Sequence, residues 1–181
     1  MTPPRPRTVF MSADLVGGVW TYALELARAL APAGTRVVLA AMGGAPSDEQ
    51  RRDADAAGVT LYTAPWKLEW MDDPWDDVAR AGDWLTGLAA RVRPDVVHLN
   101  HYAHGALGWG APVVMVGHSD VCSWFRAVRG CEAPPSWDRY RRTLARRYDL
   151  IYEYPGHNPR AQRSTGHREV SRGVENGDWP V

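Results

Sequence analysis

The sequence predicts an α/β domain: a Rossmann-like, doubly wound parallel sheet in a single domain, with an irregular C-terminal tail. Three observations carry that prediction. Short β-rich apolar runs alternate with longer stretches of helical period. The second run is nearly all apolar instead of alternating, as a strand covered on both faces requires. Glycine and proline punctuate the joints.

Thr8-Val9-Phe10-Met11-Ser12 is the first candidate strand. Gly17 and Gly18 follow, then a stretch with Tyr22, Leu26, Ala29 and Leu30 at helical spacing, closed by Pro32 and Gly34. Arg36-Val37-Val38-Leu39-Ala40-Ala41 is the second strand. Ser47 is placed to cap a polar helix that runs to Ala57 and stops at Gly58. Val59-Thr60-Leu61-Tyr62 is the third strand, and a Trp-rich loop from Pro65 to Pro74 leads into a helix over 75–92. Val96-Val97-His98-Leu99 and Val113-Val114-Met115-Val116 are the fourth and fifth strands. Helical composition returns from Asp138 to about Arg147, after which neither period is sustained.

This gives a flexible start at 1–7, a Rossmann-like unit at 8–147 and an irregular or unrelated tail at 148–181. The expected strand order is 3-2-1-4-5. Sites in such sheets collect at the carboxyl ends of the strands around the switch point. Gly17-Gly18, His101, His104 and His118-Ser119-Asp120 all fall there.

Composition narrows the function. The 181 residues suit one domain, with 45% apolar and 23% charged residues. Twenty-one basic residues balance 21 acidic ones, so a broad nucleic-acid surface is disfavoured. No apolar run approaches the ~20 residues that span a bilayer, and no secretory h-region follows the basic start. The expectation is a soluble cytoplasmic domain. Cys122 and Cys131 read as reduced thiols, and the lack of a CxxC pair argues against a zinc knuckle.

Several residues could carry chemistry. Gly17-Gly18 opens a helix after a strand, where backbone N–H groups can approach an anion, although a plain tight turn uses the same residues. The full dinucleotide fingerprint and a Walker lysine are both absent. His98, His101 and His104 have metal-ligating chemistry, but a strand followed by a loop would splay them. A polar cleft wall or structural histidines fit that spacing better. His118 can bond a ligand hydroxyl or act as acid or base, with Asp120 to orient it; the same pair can simply cap the strand end. The segment from Cys122 to Gly130 mixes Trp124 and Phe125 with Arg126 and Arg129, which suits a sugar or anion site or a solvated loop. Trp66, Trp70 and Trp75 invite a carbohydrate reading, but local packing is the simpler expectation.

The run from Asp14 to Tyr22, with Leu26-Ala27, Gly34, Pro94 to His98 and Pro112 to His118, resembles the amino-terminal domain of family 4 glycosyltransferases, which have the GT-B fold. Ser123 to Gly130 and Trp137 to Arg141 fit the same resemblance, which covers roughly 8–147. It implies retaining transfer of a sugar from a nucleotide-sugar donor to a small-molecule or glycan acceptor, with no separate cofactor and no obligatory metal. It also implies Gly17 and Gly18 beside the donor diphosphate and His118 toward the transferred sugar. Together with the residues read above, the candidates are Gly17, Gly18, His101 and Arg126 on the donor or substrate side and His118 and Asp120 as catalytic. The Glu-x7-Glu signature of the donor-binding domain does not occur, which suggests a truncated or frameshifted gene and a chain that lacks that domain. The alternative is a non-catalytic interaction module that pairs with a second chain.

Overall fold

Strand β1 (Thr8–Asp14) pairs in parallel with β2 (Arg36–Met42) on one side and β4 (Val96–Leu99) on the other. The computed structural model describes residues 5–145 and 151–153. Strand β3 (Thr60–Thr63) lies outside β2, β5 (Val113–Gly117) outside β4, and β6 (Ile151–Glu153) outside β5. All pairings are parallel and the order is β3-β2-β1-β4-β5-β6. The expected arrangement of five strands is therefore present, with one more added at its edge.

The apolar continuity of β1 and β2 has a simple cause. Val9, Met11 and Ala13, with Val37, Leu39 and Ala41, face α1 (Gly18–Leu30) and α2 (Asp48–Ala56). The alternate residues Phe10, Val38, Ala40 and Met42 face α3 (Trp75–Val92). A strand buried on both faces needs apolar residues at every position. Helix α1 presents Trp20, Ala23, Leu24 and Ala27 to its side of the sheet; α3 presents Val78, Ala81, Leu85, Leu88 and Ala89 to the other.

Helix α2 begins on a capping box. Ser47 Oγ accepts from Gln50 N at 3.1 Å, while Gln50 Oε1 accepts from Ser47 N at 3.0 Å. The Gln50 amide also donates to Leu15 O at 2.9 Å, and Leu15 N donates to Met42 O at 2.8 Å. The segment leading from β1 into α1 is thus held from both sides. Helix α4 (Val121–Trp124) and the π-helical turn after it, Phe125–Arg129, occupy a stretch whose sequence reads as loop. Four residues are too few to show a period.

Helix α5 (Asp138–Ala145) confirms the helical composition there, and its Tyr140 is buried against the α3 side of the core. The tail expected to be irregular from 148 onward contains β6, whose three residues are likewise too short to show a pattern. The remainder of that tail, and residues 1–4, lie outside the described residues. Cys122 and Cys131 are free. Among the described residues no helix is long and apolar enough to cross a membrane.

Leu85 is fully buried between α3 and the sheet. Leu85→Ala should lower unfolding free energy by about 2–5 kcal/mol, measured by urea denaturation.

Candidate functional site

The sheet register brings the carboxyl ends of β1, β4 and β5 side by side, with Met11 opposite His98 and Leu99 opposite Met115. After β1 the chain turns at Gly17, whose φ of 79° is left-handed, and enters α1. No side chain caps that helix start and its first turn has no acidic residue. The space over Gly17 is open: a Cβ at that position would meet nothing within 4 Å.

Asn100 follows β4 and is buried. Its backbone N–H donates to Ser12 Oγ at 3.2 Å and its Nδ2 donates to Ser12 O at 2.6 Å. Its Oδ1 lies 2.8 Å from His118 Nε2 and 3.3 Å from His98 Nε2. Tyr22, from α1, packs edge-on against the His118 ring with centroids 4.7 Å apart, and its hydroxyl is 3.5 Å from His98 Nε2. Burial lowers the pKa of both His98 and His118 below the usual histidine value. His118 itself is exposed at the rim. It is delivered there by Gly117, where a Cβ would collide with the Tyr102 hydroxyl.

The other histidines diverge. His101 is 4% exposed, so it stands behind the rim and not on its open face. Ser12 Oγ, which accepts from Asn100 N, is also hydrogen-bonded to His101 Nδ1, 3.2 Å away. His101 Nε2 is buried with no hydrogen-bond partner. Burial, then the neighbouring His104 and His118, push its pKa down to about 3, so the ring is neutral at physiological pH. His104 turns its Nε2 to Val78 O at 3.0 Å. Among the described residues no three histidine, cysteine or acidic side chains are grouped to hold a metal ion. The His-x-x-His-x-x-His string instead ties β4 and the loop after it to three different neighbours.

The Trp-rich loop is latched to this region by two buried carboxylates. Glu69 accepts from the backbone N–H of Tyr102 at 2.9 Å and of Ala103 at 2.5 Å. Asp14, at the end of β1, accepts from the Trp70 side chain, while its Oδ1 has no hydrogen-bond partner. Desolvation raises Glu69 to about 7 and Asp14 to about 6, and the Asp14 charge adds to the effect on Glu69. Trp66 and Trp75 pack against the core, as local packing requires, whereas Trp70 is 40% exposed.

Two candidate residues are engaged elsewhere. Asp120 caps α4, accepting from Ser123 N at 2.9 Å and from the Ser123 hydroxyl. Arg126 is exposed and donates twice to Glu132, at 2.9 and 3.0 Å. Arg129 stacks over Trp124 at 5.5 Å. A separate cavity of about 450 Å³ opens between α3, the 103–107 segment and α5, with Trp75, Leu107, Arg139 and Arg142 in its wall. Gly17, His118 and Arg126 do not line it. An open rim is one wall of a cleft and encloses no volume by itself.

Residues 16–153 match the family model of Glycosyltransferase Family 4. The chain belongs to glycosyltransferase family 4. By fold this family 4 domain is similar to the glycotransferase of kitacinnamycin, with 22% identity, 81% of this chain and 41% of that chain covered, and a TM-score of 0.51. It is also similar to Acinetobacter baumannii MurG, with 18% identity, 85% and 43% covered, and a TM-score of 0.55. The chain spans about two fifths of the length of these structures. No curated protein matches it.

Sequence patterns placed Gly17, Gly18 and His118 at the rim of this family 4 domain, but missed Asn100, Ser12 and the Asp14–Glu69 latch. A lone Asn after a strand and a lone Glu in a loop have no diagnostic spacing. Only the Ser12-to-Asn100 bond across two strands reveals the first.

Glu69 gives a pH test. With a folded pKa raised from 4.5 to about 7, the folded chain binds more protons than the unfolded chain in that window. Its contribution is complete below the unfolded value and is lost as pH rises through the folded one. Gln stays neutral throughout. From about pH 5 to about pH 8, stability of Glu69→Gln relative to wild type should therefore rise by a few kcal/mol in urea titrations. A pH-independent difference would show that Glu69 carries no raised pKa.

Proposed function

We propose that this domain forms the acceptor-side wall of a sugar-transfer cleft, completed by a donor-side domain or a second chain. The reaction is transfer of a sugar from a nucleotide-activated donor to a hydroxyl of a small-molecule or glycan acceptor, with retention and without a separate cofactor. The observation that carries this reading is the convergence of an uncapped helix start at Gly17-Gly18 and an exposed His118, in a family 4 chain.

Each residue has a distinct part in the proposal. Backbone N–H groups at Gly17 and Gly18 lie beside the donor diphosphate and stabilise the charge that develops as it departs. His118 contacts a hydroxyl of the transferred sugar or the acceptor. Asp120 supports that rim by capping α4. Arg126 reaches phosphate only by exchanging Glu132 for it. His101 acts from behind, through Ser12 and Asn100.

The test is His118→Ala in a full-length family 4 enzyme carrying this domain. Loss of a positioned acid–base or hydrogen-bonding group should lower kcat by about 100-fold while the fold is kept. Unchanged transfer would make His118 structural and overturn the site assignment.

A further inference from the structure

The hydrogen bonds around Asn100 determine where the protons of the rim reside. Asn100 Nδ2 stands 2.6 Å from Ser12 O, a carbonyl that can only accept. Turning the amide over would place two acceptor oxygens face to face at that distance, so the network fixes its orientation. Asn100 Oδ1 therefore points to the histidines, 2.8 Å from His118 Nε2 and 3.3 Å from His98 Nε2. An amide oxygen has no proton to give. Each ring must approach it as Nε2–H, and the two lone pairs of Oδ1 serve both.

A neutral imidazole with its proton on Nε2 has a bare lone pair on Nδ1. Among the described residues His118 has no other hydrogen bond, and its ring packs edge-on against Tyr22. We infer that Asn100 is a positioning residue that locks His118 in the Nε2–H tautomer, so that Nδ1 accepts a hydrogen bond from a substrate hydroxyl. A phosphate or carboxylate, which has only acceptors, is the wrong partner for that nitrogen. This use of Nδ1 rests on the sugar-transfer reading above, whereas the tautomer does not.

Nor does the lock depend on Asn100 alone. Ser12 receives both the backbone and side-chain N–H groups of Asn100, and its hydroxyl is also hydrogen-bonded to His101. The amide is thus held at both ends. Rotation of Asn100 would break the bond to Ser12 O and the bond to His118 together.

The experiment is long-range proton–nitrogen NMR of the histidine rings in the whole chain, at a pH where His118 is neutral. His118→Gln assigns the ring. In the wild type, His118 should show a protonated Nε2, a bare Nδ1 and a slowly exchanging Nε2–H. In Asn100→Ala and Asn100→Ser, loss of one hydrogen bond should speed that exchange by about tenfold and admit the other tautomer. A wild-type His118 protonated on Nδ1, or evenly mixed, overturns the inference even if neither variant folds. Unchanged exchange in variants that keep the wild-type amide spectrum overturns it too. Because these readouts need no substrate, a confirmed lock beside transfer indifferent to His118 would reject the functional reading and leave the tautomer standing.

Discussion

The hydrogen bonds between Ser12 and Asn100 join the ends of two parallel strands at the point where the sheet reverses its order. The chain runs outward from β1 through β2 to β3 on one side, then crosses back through α3 to β4 on the other side of β1. The helices that follow the two halves therefore cover opposite faces, and a crevice opens between them. Backbone N–H and C=O groups that run out of ladder partners at such a crevice need others. Asn100 supplies them, and its one remaining oxygen gathers His98 and His118. Without that cross-tie, His98 and His118 would lose their shared hydrogen-bond acceptor.

Burial sets the charge state of the region. Desolvation holds His98, His101 and His118 toward neutral, and it raises Asp14 and Glu69 toward the protonated form. The histidines of the crevice floor are polar yet uncharged near neutral pH. That suits a surface meant to meet hydroxyl groups, with the diphosphate addressed by backbone dipoles at the start of α1. The charged residues lie farther out, and Arg126 is already matched by Glu132.

Much of this was legible in the sequence because both faces of the central strands are buried. Phe10, Val38 and Val97 show up in apolar runs that no exposed strand would tolerate. Ser47 announced α2 as its N-cap, whereas the reciprocal bond from Gln50 came only with the structure. The rim was legible only in outline, since topology predicts which strand ends meet but not which side chains bond there. His101 illustrates the limit: its position after β4 suggested a cleft wall, and the turn of the loop buries it behind Ser12. Glu69 was invisible because its partners are backbone N–H groups 33 and 34 residues away. Helix α4 and strand β6 were too short to show a period.

The most direct measurement is titration of the isotope-labelled chain with millimolar UDP and GDP, following backbone amides and histidine rings by NMR. A substrate crevice at the switch point predicts shifts concentrated at Gly17, Gly18, Asn100 and His118. Shifts confined to the cavity beside Trp75 and Arg139, or no shifts at the rim, would contradict the account.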